Sequence, residues 1–219
     1  MRFIRAARDL SAERGVPLET VAMVTAPDQT ALFAREADFS VALAIPEGQG
    51  AAAAYLDPVL VVDAAVAAGA DAIWPGWGFL SEDARLVEAT EAAGLCFIGP
   101  PAKAMRIAGD KIAAKRLAER CGIPVVPWSG AALESLADVE RFVATIGYPI
   151  ILKAAAGGGG RGIRVVRESS ALATAFSSAA GEALRAFGDG RVFVERCVDR
   201  ARHVEVQLVV DGAGHGVAY

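Results

Sequence analysis

The stretch Lys153-Ala154-Ala155-Ala156-Gly157-Gly158-Gly159-Gly160-Arg161-Gly162 restricts the fold more than any other part of the sequence. Short apolar, β-branched runs flank it at 148–152 and 163–166, bounded by Gly or Pro, a pattern that reads as strand, glycine loop, strand. Consecutive glycines carry no Cβ, so the backbone can take positive φ and approach a ligand closely. Their N–H groups can converge on an anion, and Lys153 and Arg161 bracket the loop with positive charge. A polyphosphate suits that combination. A merely mobile hairpin tip is the bland reading, but such a tip has no need of a basic residue on each side.

Two better-known phosphate motifs fail on context. Residues 157–162 satisfy G-x-G-x-x-G literally, yet the dinucleotide fingerprint requires a helix after the loop, and a second strand follows here. The Walker pattern ends in Gly-Lys-Ser/Thr, where this chain has Arg161-Gly162-Ile163. A glycine flap on a β-hairpin, folding over phosphates, is the expectation that remains.

With 219 residues the chain can bury one large or two small cores. A formal net charge of −4 gives no electrostatic case for nucleic acid or an anionic membrane. Asp63 and Asp71 interrupt the longest apolar stretch well short of the roughly 18–20 residues of a membrane span. The charged start has no apolar core or cleavage site behind it, so no signal peptide is expected. Cys96, Cys121 and Cys197 are odd in number and scattered, which suits reduced thiols in a cytoplasmic protein better than disulfides or a metal site.

In chain order, Phe3/Ile4, Ala7 and Leu10 predict a helix over 1–14. Strands are expected at 21–25, 39–43, 72–74 and 95–98, with helices near 30–37, 57–68 and 81–93 between them. Ser81 is the expected N-cap of the last, with Glu82 and Asp83 in its first turn. Strands alternating with helices argue for a parallel sheet, with ligands outside the carboxyl ends of its strands, where the 75–80 and 99–101 loops fall. An alternation that opens on a helix implies an initial strand outside this sequence. Residues 102–121 are expected to be helical, with Asp110 capping a second helix; Pro124 and Pro127 then punctuate the chain. Beyond lies an α+β unit: helix 135–146, strand 148–152, the flap, strand 163–167, helix 170–186 and strand 192–195. A strand over 202–211 and a return strand at 216–219 end the sequence in mid-hairpin.

These motifs together resemble the biotin carboxylase family of ATP-grasp enzymes. The resemblance runs through Trp74-Pro75-Gly76-Trp77-Gly78-Phe79-Leu80-Ser81-Glu82, Phe97-Ile98-Gly99-Pro100, Gly109-Asp110-Lys111, residues 153–162, Val194-Glu195 and Arg202-His203-Val204-Glu205-Val206-Gln207. Val21-Ala22-Met23-Val24-Thr25 and Pro127-Trp128-Ser129-Gly130 are similar to the biotin carboxylase part of multidomain acetyl-CoA or acyl-CoA carboxylases. The implied fold is α/β: a Rossmann-like parallel-sheet pre-ATP-grasp domain (1–101, first strand missing), a helical connector (102–127), an ATP-grasp lid (128–197), and the start of a C-terminal ATP-grasp sheet (198–219).

The activity implied is carboxylation of carrier-bound biotin with ATP and bicarbonate, through carboxyphosphate, aided by Mg²⁺ or Mn²⁺. The resemblance implies that Lys153 binds the α/β-phosphates and that Lys111 contacts the phosphate or ribose side. Gly157, Gly158, Gly159, Gly160 and Gly162 would form the closing flap, and Ile163 would pack on the adenine. Glu195 would lie at the hinge near the adenine amine, and His203 near ribose and phosphates. Trp77, with Gly78, stands where the family carries a tyrosine near biotin; its aromatic face survives without the hydroxyl. Each has a plainer reading: a solvated lysine for Lys111, a surface carboxylate for Glu195, a structural histidine for His203, a packing residue for Trp77. A lysine beside an apolar strand, as Lys153 is, would be costly to bury unpaired. Arg164 and Arg167 read as a solvated strand face.

The family's magnesium ligands and principal catalytic groups are expected beyond Tyr219, so no catalytic or metal-binding residue is assigned, Asp110 and Glu205 included. The implied partners are a biotin carboxyl carrier domain, a carboxyltransferase domain or subunit, and further copies in a homo-oligomer. Alternatives are another biotin-dependent carboxylase (propionyl-CoA, methylcrotonyl-CoA, pyruvate or urea), an ATP-grasp ligase such as a carbamoyl phosphate synthase half, and a non-catalytic fragment.

Overall fold

The computed structural model describes residues 1–156 and 162–219, which divide into two compact units, Met1–Ala114 and Lys115–Tyr219. The flap expected at Gly157, Gly158, Gly159 and Gly160 lies outside the described residues.

In the first unit, α1 (Arg2–Arg14) ends on Gly15 in the left-handed conformation, with Arg14 in its last turn to meet the negative end of the helix dipole. β1 (Val21–Val24) pairs parallel with β2 (Phe39–Ala42) across α2 (Leu32–Glu36). Further along, β3 (Ala72–Ile73) pairs parallel with β4 (Cys96–Phe97). Parallel pairing and alternation with helices are as expected, but the described strands form two separate pairs. Strands of two residues leave few ladder bonds to extend. One helix was not anticipated, α3 (Ala51–Tyr55), where four consecutive alanines favour helix locally. In α4 (Pro58–Ala67), Asp57 accepts hydrogen bonds from the N–H groups of Val59 and Leu60, and Pro58 opens the helix where its missing N–H is harmless.

The expectation of a cap at Ser81 is corrected to Asp83, which accepts from Arg85 N at 2.9 Å at the start of α5 (Ala84–Ala92). The chain is still turning at Ser81, whose N–H donates to Gly78 O, and this turn carries Leu80 into the core. That core gathers Leu43, Val61, Val62, Ile73, Leu80 and Leu86, with Ala54 and Ala65 small enough for close helix contact. Asp110 caps as expected: it accepts from Ile112 N and Ala113 N, both at 2.9 Å, between α6 (Ala102–Gly109) and α7 (Lys111–Arg120).

Before β1, the hydroxyl and the backbone N–H of Thr20 each donate to Asp38 Oδ2 at 2.7 Å. The hydroxyl first, then the N–H, holds this carboxyl below its ordinary 3.8. A depressed folded pKa contributes stability that is complete above the unfolded value and drains away as pH falls through the folded one. Asp38→Asn is therefore expected to lower the urea midpoint at pH 6, with a difference that shrinks progressively as pH falls below 3.8. An equal difference throughout would show that ionisation contributes nothing.

The second unit is built on the sheet β6–β5–β7, with β5 (Ile150–Ala154) central and antiparallel to both β6 (Ile163–Val166) and β7 (Val192–Arg196). Ser135 accepts from Asp138 N to cap α8 (Leu136–Ile146), and α9 (Leu172–Phe187) stops at Gly188. These helices cover one sheet face around Val139, Val143, Ile150, Leu152, Val166, Leu172, Ala179, Val192 and Val194. Single bridges at Trp128 and Leu133 lay the preceding segment along β7.

Gly162 opens β6 at φ 68, and a Cβ there would stand 2.7 Å from the Ala154 methyl. Gly162→Ala is expected to destabilise this unit by about 1–2 kcal/mol in urea unfolding, from the left-handed backbone alone. An unchanged midpoint would remove the requirement for glycine. The strand expected over 202–211 is shorter, at Leu208–Val210 (β8), because its antiparallel partner Gly216–Ala218 (β9) offers only three residues to pair with. Arg164 and Arg167 are not simply solvated: they pair with Glu182 and Asp199.

Candidate functional site

Side chains alternate across a strand, so β5 and β7 sort their residues by period. Ile150, Leu152 and Ala154 point into the helix-covered core together with Val192 and Val194. Ile151 and Lys153 take the opposite face, where their cross-strand partners are Glu195 and Phe193. Lys153 and Glu195 are thus diagonal neighbours on one face, within reach for a long side chain. Ile163, paired with Lys153, and Val165, paired with Ile151, complete it.

On this face Glu195 is only 4% exposed. Lys153 Nζ makes an ion pair with its Oε1, and Lys115 Nζ, from α7, lies 2.9 Å from its Oε2. The second approach is an ion pair without hydrogen-bond alignment. Trp128 closes the cluster: its indole N–H donates to Glu119 Oε1 at 2.7 Å, and its ring meets Phe193 edge-on at 5.9 Å. Lys115 Nζ stands 5.7 Å from the Trp128 ring centroid, within cation–π range. Two ammonium groups share one carboxylate in a partly desolvated place, which leaves a positive charge available to an anion.

The structure brings together three of the expected residues, Lys153, Ile163 and Glu195, with Gly162 adjoining Ala154. His203 is not part of this cluster; its ring is exposed and Nε2 lies 3.4 Å from Glu205 Oε2. Lys111 is the first residue of α7, in the first unit. Trp77 is 96% exposed in the loop after β3, beside Gly78 at φ 82. Phe79 next to it takes φ 46, an unusual left-handed conformation for an aromatic residue. Its ring lies 5.4 Å from Tyr55, whose hydroxyl donates to Asp28 Oδ2 at 2.8 Å and accepts from Thr25 N at 3.0 Å. Burial pushes the Tyr55 phenol up.

Lys115 and Trp128 were missed as site residues. Lys115 follows Lys111 by one helical turn, and that i, i+4 spacing of two lysines was the available signal. Among the described residues no group of three or more His, Cys, Asp or Glu side chains converges as a metal site. No helix among them is long and apolar enough to cross a membrane.

Residues 1–105 match the family described as biotin carboxylase, N-terminal domain, and residues 110–219 the family described as carbamoyl-phosphate synthase L chain, ATP binding domain. Pyruvate carboxylase of Aspergillus niger is 41% identical over 217 residues, covering 99% of this chain and 18% of that protein. The biotin-dependent acyl-coenzyme A carboxylase alpha3 subunit of Mycobacterium leprae is 41% identical over 215 residues, covering 98% of this chain and 34% of the subunit. Among solved structures, Campylobacter jejuni biotin carboxylase in a β,γ-ATP complex superposes with a TM-score of 0.88 at 38% identity, over 99% of this chain and 47% of that one. The biotin carboxylase domain of Hydrogenobacter thermophilus 2-oxoglutarate carboxylase, with MgADP, ADP and bicarbonate, gives 0.88 at 36% identity, over 99% and 46%. The chain spans less than half of each of these proteins. With both of its regions matched and an α/β fold in common with these structures, the chain belongs to the biotin carboxylase family, of which it carries the N-terminal domain and ATP-binding domain sequence.

Proposed function

We propose that the chain supplies nucleotide-binding machinery to a biotin carboxylase, a ligase that carboxylates carrier-bound biotin with ATP and bicarbonate. The observation that carries this is the pairing of Lys153 and Lys115 on buried Glu195, where β5 runs into the glycine loop. A triphosphate is drawn to that surplus charge, and a low-dielectric surrounding strengthens each contact made there.

In this reading Lys153 leaves Glu195 to bind the α/β-phosphates, and Lys111 serves the phosphate or ribose side. Gly157, Gly158, Gly159, Gly160 and Gly162 cover the phosphates and limit water around a labile carboxyphosphate. Ile163, on the same face as Lys153, packs on the adenine; Glu195 serves the adenine end and His203 the ribose and phosphates. Exposed Trp77, with Gly78, offers its ring to biotin. Magnesium or manganese, where bound, supplies charge neutralisation between phosphates.

The acceptor beyond biotin is open between acyl-CoA and pyruvate, since the similarities support both. A biotin carboxyl carrier domain, a carboxyltransferase, self-association and a cytoplasmic location belong to the same proposal. The test is calorimetric titration with MgATP, followed by ADP release with bicarbonate, with and without free biotin. Binding with biotin-stimulated ADP release is expected where the catalytic groups are present on the assayed chain. Absence of MgATP affinity would sink the reading, and binding with no ADP release would limit the chain to a nucleotide-binding fragment.

A further inference from the structure

We propose that Lys115 is a positioning residue of the nucleotide site, holding Glu195 in place when Lys153 departs for a phosphate. This rests on the nucleotide-binding reading above and names the part that makes Lys153 available.

The two ammonium groups are not equivalent. Lys153 is 26% exposed, so its ammonium has water on one side. Lys115 is 18% exposed and is confined on several sides. Its helix carries Glu119, which fixes the Trp128 indole; the indole lies beside the Lys115 ammonium and abuts Phe193, in the strand that bears Glu195. Of these groups only Phe193, its ladder partner, adjoins Lys153, and neither the indole hydrogen bond nor the ring contact holds the Lys153 ammonium. Lys115 is the anchored partner and Lys153 the releasable one.

The chemistry gives this asymmetry a consequence. A carboxylate as buried as that of Glu195 is strongly penalised when its only counter-ion is withdrawn. If Lys153 were that only counter-ion, each phosphate it captured would strand the Glu195 charge, and the penalty would come straight off nucleotide affinity. With Lys115 on the other oxygen, Glu195 remains paired throughout. Lys115 therefore acts on phosphate binding through Glu195, touching no ligand itself.

A double-mutant cycle on the full chain tests this, with MgATP, MgADP and adenosine titrated calorimetrically into wild type, Lys115→Met, Glu195→Gln and the double variant. Lys115→Met is expected to weaken MgATP and MgADP about tenfold and to leave adenosine unchanged. In the Glu195→Gln background the same change should have little effect, because no charge remains to be stranded. Lys115→Arg, which keeps the charge, should retain most of the affinity. If Lys115→Met does not fold, Lys115→Gln takes its place in the cycle.

The proposal is overturned if Lys115→Met binds MgATP as wild type does. Equal weakening in both backgrounds overturns it too, since Lys115 would then act independently of Glu195. Adenosine weakened as much as MgATP would mean a merely structural role. Wild type binding adenosine but not MgATP, or neither, overturns the nucleotide reading and this inference with it.

Discussion

Phe193→Ala is expected to destabilise the second unit by about 3–5 kcal/mol, the range for truncating a large aromatic side chain in a packed interior. Phe193 is fully buried, pairs across the ladder with Lys153, and takes the Trp128 ring against its own. Removing it leaves a void beside the Lys115–Glu195–Lys153 cluster, on the strand that carries Glu195. Urea unfolding followed by Trp fluorescence measures the loss. A decrease below about 1 kcal/mol would show that the site face is not packed as described. Phe193→Leu keeps most of the volume and is expected to cost less.

Lys153→Ala should leave the fold close to wild type and weaken MgATP binding by about 1.5–3 kcal/mol, the usual worth of a hydrogen bond to a charged group. Folding should tolerate it because Glu195 keeps Lys115 as counter-ion and the Lys153 side chain is partly solvated. Calorimetry reads the affinity and thermal unfolding the stability. Unchanged affinity would remove Lys153 from the nucleotide site. A collapse in stability would mean that the lysine is structural first.

Lys153→Ala and Lys115→Met differ in how they should respond to Glu195→Gln. A direct phosphate ligand still matters once the carboxylate is neutral, whereas a residue acting through that carboxylate does not. That difference separates binding from positioning without any knowledge of the acceptor substrate.

Much of the local structure was legible in the residues themselves. Asp110 and Ser135 were expected to begin helices, and both accept hydrogen bonds from the first turn. The roles expected of Lys153 and Glu195 came from the family resemblance and not from any period in the sequence, whereas strands were expected over 148–152 and 192–195 and are found at 150–154 and 192–196. Such features depend on neighbours a few positions away, and the required partner is the chain's own backbone. Even there, competition defeated the reading when two good caps stood close together: Ser81 lost to Asp83 because burial of Leu80 kept the backbone turning.

What the tertiary structure alone decided is which distant groups meet. No local pattern requires β1 to pair with β2 separately from β3 with β4, or pairs Arg164 with Glu182. Nor does the sequence say that Lys115, on a helix, and Lys153, on a strand, reach the two oxygens of the same carboxylate. Periodicity specifies the face on which a side chain lies, while the group opposite is chosen by the packing of whole elements. The charge stood in the sequence; its counter-charge came from the fold.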